Sequence, residues 1–201
     1  PVIDILTSSF LVTAKLAGIA YILAVVFGVV VGVVAAVNHG KWVDSVLMTI
    51  SVFGISAPAF WIAIILQIVI CLKFNLLPLS GIDSFKSFIL PGIALGTRYA
   101  ASIARITRTS KLDVLSQDYI RTAEAKGLKG WVVTIKHALR NALIPIITIA
   151  GSDLGNILTG SVLVESVFSI PGIGKMLVDS INTRDLPIVQ GGVMYIAVIC
   201  V

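Results

Sequence analysis

The 201-residue chain is 57% hydrophobic and only 12% charged, with a mean hydropathy of +1.04. A soluble domain carries about a quarter charged residues, so this composition excludes an ordinary water-soluble fold and indicates a chain that crosses a membrane several times. The net charge of +5 gathers in one central stretch, a distribution that fits membrane topology rather than a nucleic-acid surface.

A spanning helix needs roughly 20 apolar residues. The first such run is residues 16–37, free of charge, with Lys15 at its start to reach the surface. Gly28 and Gly32 form a Gly-x-x-x-Gly pair that lets a second helix approach closely. Residues 38–41 (Asn-His-Gly-Lys) make a tight polar turn. The second span is residues 46–72, kinked near its middle by Pro58, with Ser56 as the candidate donor to the carbonyl that the proline frees and Trp61 turned into the bundle. A short polar connection, residues 73–87, follows. The third span has its core at residues 89–106 and carries Arg98, which must face protein or a water-filled cavity. Alternatively, the helix leaves the membrane early and continues as a surface helix into Lys111.

Residues 116–145 lie between two apolar runs and hold Arg121, Lys126, Lys129, Lys136 and Arg140 against only Asp118 and Glu124. Residues 117–126 read as a short helix with Tyr119, Ile120, Ala123 and Leu128 on one stripe. Gly127 supplies a turn, and a second helix starts near Lys129 and runs through Trp131, Ile135, Ala138 and Leu139. So basic an elbow cannot lie in hydrocarbon. It belongs at a membrane surface, against anionic lipid or against a partner protein.

The fourth span, residues 142–164, has Pro145 in its first turn and Gly151, Asp153, Gly155 and Asn156 at its centre. Asp153 is the one acid in the middle of any span. It lines a hydrated path, pairs with Arg98, or sits nearer the surface through tilt. Residues 165–187 form an outer segment, and the last span begins near Ile188. The run Ser169 to Lys175 looks like a phosphate loop but has Ser where the first Gly is required, and no Ser or Thr follows Lys175. Cys71 and Cys200 lie in or beside apolar runs and read as small buried residues.

Of the fifteen Lys and Arg, ten fall on one side (Lys41 and the nine between residues 98 and 141), four on the other (Lys73, Lys86, Lys175, Arg184), with Lys15 at that second side's edge. Positive residues stay cytoplasmic, which puts the elbow inside and Pro1 outside. The chain begins without Met and stops at Val201 within an apolar run. It reads as a fragment of an all-α, polytopic transmembrane bundle, with about five spans here and six in the intact protein, as a single transmembrane domain.

The pattern Arg-Thr-Ala-Glu-Ala-Lys-Gly from Arg121 to Gly127, nine residues, then His-Ala-Leu-Arg-Asn-Ala-Leu-Ile-Pro from His137 to Pro145 resembles the cytoplasmic coupling loop of an ABC importer permease. It is close to the peptide/nickel branch. Set on Gly127, the general motif of that family puts Arg121 where it has Glu, Ala123 on its second Ala, His137 on Ile, Leu139 on Leu and Arg140 on Pro. Those departures are associated with the peptide/nickel branch. Residues 160–192 also resemble that branch's last outer loop.

The resemblance covers essentially the whole chain and implies a permease subunit of a binding-protein-dependent importer in the cytoplasmic (inner) membrane. Its coupling residues are Arg121, Ala123, Glu124, Gly127, Trp131, His137 and Arg140, within a coupling loop of residues 116–140. Its implied partners are a second homologous permease, two cytoplasmic ATPases that carry ATP and Mg, an extracytoplasmic solute-binding protein, and lipid. Arg98, Asp153 and Asn156 are candidate path residues. The sequence has no Gly-x-Ser-x-Gly, no nucleotide loop and no paired His at metal spacing, so no enzyme, metal site or bound cofactor is expected. Dipeptide, oligopeptide, glutathione-like peptide and nickel all fit the branch as cargo. The rival reading is an ion-coupled secondary transporter using Asp153 or Arg98. A membrane scaffold that binds a partner through residues 116–140 is a third.

Overall fold

The computed structural model describes residues 2–82, 84–127, 130–133 and 140–200. Every regular element among them is helical: α1 (Val2–Val37), α2 (Trp42–Ser56), α3 (Ala59–Leu66), a π-helical turn (Gln67–Lys73), a 3₁₀ turn (Phe85–Phe88), α4 (Ile89–Leu115), α5 (Asp118–Ala125), α6 (Gly130–Val132), α7 (Arg140–Gly160), α8 (Val162–Val167), α9 (Ile173–Asn182) and α10 (Leu186–Cys200). The expected membrane-helical bundle is what forms. By length and composition α1 and α7 each suffice to cross a membrane, and the segment from α2 to the π turn passes the same test as a broken span.

The boundaries differ from expectation in informative places. α1 begins at Val2, well before residue 16, and of residues 2–15 only Leu6 and Thr13 are buried. The second span is broken, not merely kinked, since α2 stops at Ser56 before Pro58. Ser56 Oγ donates to the Val52 carbonyl at 3.0 Å, not to that of Gly54, which the proline deprives of its amide. Trp61, expected inside the bundle, is 45% exposed. α4 continues past residue 106 to Leu115, as the alternative for this span anticipated. Lys111 on it is nevertheless fully buried. Pro145 lies inside α7 instead of in its first turn, since the described helix already includes Arg140.

Two compact units form: residues Pro1–Leu23, Ala57–Thr97 and Asp153–Val201 in one, Ala24–Ser56 and Arg98–Ser152 in the other. The first unit buries Leu16, Leu95, Ile157, Val164, Phe168 and Ile170. Its α1 and α4 meet closely: a Cβ on Gly96 would stand 2.8 Å from the Ala20 carbonyl oxygen, and one on Gly92 3.0 Å from Ile19. α10 lies against α1 through an edge-on contact of Phe10 and Tyr195, ring centres 5.7 Å apart. The loop after the π turn is tied down by Gln67, whose Nε2 donates to the carbonyls of Leu79 at 3.0 Å and Val167 at 3.1 Å.

Within the same unit, Glu165 in the first turn of α8 is fully buried. Its Oε1 accepts from the hydroxyls of Thr13 at 2.7 Å and Ser161 at 2.8 Å, and its Oε2 accepts from the Lys175 amide at 3.1 Å. The loop that superficially resembled a phosphate loop wraps this carboxylate instead.

The second unit uses the Gly-x-x-x-Gly pair as expected. A Cβ on Gly28 would stand 2.7 Å from the Ala100 carbonyl, and one on Gly32 2.5 Å from that of Ala104 and from Thr107 Cβ. Lys111 Nζ reaches the Val33 carbonyl at 3.5 Å near the carboxyl end of α1, the end of a helix that favours a cation. The turn after α1 closes through Gly40 at φ +76°. Asp44, 4% exposed, fixes it: Oδ2 accepts the Gly40 amide at 3.2 Å, while Arg108 from α4 bonds both carboxylate oxygens, Nε at 2.6 Å and Nη2 at 2.7 Å. His39 Nδ1 stands 3.1 Å from Asp44 and 3.0 Å from Arg108. A bare Nδ1 accepts from Arg108, and a protonated one donates to Asp44.

Gly151 and Gly155, the second Gly-x-x-x-Gly pair, have nothing within 4 Å of the place a Cβ would occupy. Gly32→Ala in the chain purified alone is therefore expected to lower stability by about 1–3 kcal/mol through overpacking, whereas Gly155→Ala is neutral or stabilising by up to about 1 kcal/mol. Denaturation in mild detergent reads both. In the same assay Asp44→Asn is expected to cost about 3 kcal/mol, because it strands Arg108 beside a neutral amide.

Candidate functional site

The elbow between α4 and α7 is built from the end of α4 outward. α4 closes with the Ser116 amide on the Leu112 carbonyl at 3.2 Å and the Gln117 amide on that of Val114 at 3.1 Å. α5 then starts at Asp118, an acid in the first turn where the helix dipole favours one. The expected helix at residues 117–126 is thus present, shorter by one residue at each end. Ile120 carries its anchoring: it is 1% exposed and packs with buried Val133 and the partly buried Val114 and Leu115. Tyr119, on the same expected stripe, is 44% exposed and its hydroxyl accepts from Asn141 Nδ2 at 3.0 Å. That bond joins α5 to the first turn of α7.

Gly127 follows α5 in the left-handed region, φ +74°. Nothing approaches the place a Cβ would occupy, so the glycine is required by backbone conformation, not by space. Gly130, also in open space, opens α6. Arg121, Ala123 and Glu124 lie on α5 and Trp131 on α6. Arg140 is the first residue of α7 and is exposed. His137, with Leu128, Lys129, Ile135, Ala138 and Leu139 of the expected second helix, lies outside the described residues.

The candidate path residues do not fall in one unit. Arg98 is exposed and belongs to the second unit, on α4; Asp153 and Asn156 belong to the first, on α7. Asn156 is exposed and Asp153 half-buried.

Sequence reasoning missed the two buried carboxylates described above. For Glu165 a signal was present: α9 begins at a Gly-Ile-Gly run with no Ser, Thr, Asp or Asn to cap it, so a cap from elsewhere was needed. For Asp44 there was none, because its choice of Arg108 is a pairing over 64 residues. Among the described residues no group of His, Cys, Asp and Glu is arranged to hold a metal ion.

Comparison with known proteins places this geometry. Residues 28–201 match the family described as binding-protein-dependent transport system inner membrane component. The glutathione transport system permease protein GsiC of Escherichia coli (strain K12) is 45% identical over 194 residues, covering 96% of this chain and 63% of the relative. The protein of the same name from Salmonella choleraesuis (strain SC-B67) matches with the same identity and coverage. The chain therefore spans a little under two thirds of these relatives' length. A crystal structure of an amino acid ABC transporter with histidines superposes with a TM-score of 0.73 at 17% identity, covering 98% of this chain and 88% of that one, a likeness of fold. With the family match running from α1 to the end of α10, the chain belongs to the binding-protein-dependent transport system inner membrane components, the permeases of ABC importers.

Proposed function

We propose that this chain is the core of a permease subunit of an ATP-driven importer, one transmembrane permease domain lining the path for a small peptide of the glutathione class across the cytoplasmic membrane. It works with a second homologous permease, two cytoplasmic ATPases and an extracytoplasmic solute-binding protein. ATP and Mg act on the ATPases, and this chain performs no chemistry of its own. The observation that carries the reading is the elbow: a short helix anchored by one buried isoleucine, a left-handed glycine and a second helix start, carrying the motif of the family's coupling loop. The 45% identity to glutathione permeases supports the cargo class.

In this reading the work of the elbow is mechanical. α5 and α6 seat in a groove of an ATPase, and the closing of the ATPases moves the elbow and, through α4 and α7, the spans. Arg121, Lys126 and Arg140 supply positive charge for acidic groups on the ATPase. Each ligand drives the cycle only by its differing affinity for the inward-open and outward-open states.

The test is reconstitution of the full-length protein with both permeases, the ATPases and the binding protein in proteoliposomes. Uptake of labelled glutathione is expected to require ATP and the binding protein. Uptake driven by a membrane potential without the ATPases would overturn the reading in favour of an ion-coupled transporter. Gly127→Val is expected to insert normally but to lower ATP-driven uptake at least tenfold, since a β-branched residue in the left-handed region costs about 1–3 kcal/mol and the elbow relaxes away from its docked shape. Gly130→Ala, in open space and without a positive φ, is expected to transport normally.

A further inference from the structure

Helix α9, Ile173–Asn182, starts without a cap of its own. Its N-cap residue is Gly172, which has no side chain to offer, yet the first amides of a helix need acceptors. They find them in two other elements. The Lys175 amide donates to Glu165 Oε2 at 3.1 Å, and the Ile173 amide donates to Thr13 Oγ1 at 2.9 Å. The Thr13 hydroxyl in turn donates to Glu165 Oε1 at 2.7 Å, so the carboxylate terminates both bonds.

The loop sequence is shaped around this anion. A Cβ on Gly172 would collide with the Glu165 carboxyl group, and one on Gly174 would stand 2.7 Å from Val162 Cα and 3.0 Å from Glu165 Oε2. Neither glycine has a positive φ, so both are there for room. One buried carboxylate thus ties α9 to α8 and α1, and any other orientation of α9 would leave Oε2 without the Lys175 amide and the Ile173 amide without Thr13.

What α9 turns outward is charged. Lys175 Nζ pairs with Asp179 Oδ2 at 2.6 Å, Asp179 being 59% exposed. Lys175, Asp179, Thr183 and Asp185 line an open groove together with Ser9 and Met176. The basic-residue count puts this face outside the membrane.

We propose that Glu165 is a positioning residue of the transport cycle: by capping α9 from below, its carboxylate holds the groove of Lys175, Asp179 and Asp185 in the orientation that receives the extracytoplasmic binding protein. This rests on the importer reading. The positioning acts through α9, so Glu165 touches neither cargo nor partner. Its loss weakens the encounter with the binding protein without touching the ATPase end of the machine.

The experiment uses the full-length complex in nanodiscs. Glu165→Gln keeps the shape but offers a donor where an acceptor is needed. Thr13→Val removes the relay, and Thr13→Ser keeps it. ATP hydrolysis is measured against binding-protein concentration, and hydrogen exchange is followed at the amides of α9. Glu165→Gln is expected to raise the half-saturating binding-protein concentration at least fivefold, with basal hydrolysis and maximal rate within twofold of wild type. Exchange at residues 173–176 should quicken at least tenfold, with α4 unchanged. Thr13→Val should move the same way by a smaller factor, and Thr13→Ser should behave as wild type.

The proposal is overturned if half-saturation stays put, if basal hydrolysis falls in step with it, or if Thr13→Ser is as damaging as Thr13→Val. A wild-type complex that shows no binding-protein-dependent hydrolysis overturns the importer reading and the proposal with it. Unaltered exchange at α9 in a working complex overturns the proposal alone.

Discussion

Backbone amides and carbonyls released where a helix ends or breaks need partners, and a side chain of the chain itself can supply them. The folded form depends on that constraint wherever a helix is interrupted. Three polar side chains answer it in three places. Gln67 gives its amide to Leu79 and Val167, pinning the connection after the π turn. Asp44 takes the Gly40 amide and closes the turn between α1 and α2. Glu165 takes the start of α9. Two of the three are themselves held: Asp44 by Arg108, Glu165 by Thr13 and Ser161. A buried charge held on several sides costs far less than a lone one. Isolated, either carboxylate would be a liability. Used as an anchor, it fixes a turn that apolar contacts cannot hold.

Between the interruptions the packing relies on small residues. Lipid tails are as apolar as leucine, so burial alone does not draw helices together, and close backbone approach has to do so. α1 supplies Ala20, Gly28 and Gly32 for this, and α4 supplies Gly96, Ala100 and Ala104. Pairing follows chain order in the second unit, Gly28 beside Ala100, Gly32 beside Ala104 and Val33 beside Lys111, so the two helices run parallel there.

How much of this the sequence revealed varies with the range of the interaction. The helical class, the turn at Asn38 to Lys41 and the short helix before Gly127 are consequences of local composition and periodicity, and they were legible. So was the packing role of Gly28 and Gly32, because the pair sits in an unbroken apolar run. Gly151 and Gly155 have the same spacing and nothing near the place a Cβ would take, which marks the limit of a spacing rule: it says what could approach, not what does. The start of α1 was missed because Asp4, Thr7, Ser8 and Ser9 dilute the hydropathy of residues that are helical nonetheless; Thr7 and Ser8 return their hydroxyls to the carbonyls of Ile3 and Ile5. The polar anchors were missed for another reason. Asp44 and Arg108 are 64 residues apart, and no local pattern announces that pairing, while the uncapped start of α9 says only that an acceptor is needed and not that Glu165, held by Thr13 from 152 residues away, supplies it.

The elbow turns by another means. Among the described residues, Ile120 and Val133 pack together with Val114 and Leu115 at their edge, and the bond from Asn141 to Tyr119 ties α5 to α7. An eight-residue helix is too short to be stable by itself in water, so α5 relies on that packing. Gly127 stands in open space with a backbone conformation that strains other residues. The contrast with the start of α9 is one of means. There Gly172 and Gly174 are small because a buried carboxylate and α8 need the room, and neither has a positive φ. At Gly127 nothing crowds the position, and it is the left-handed backbone that calls for glycine. A substitution therefore fails in different ways at the two turns: by collision with Glu165 in the first, by backbone strain in the second.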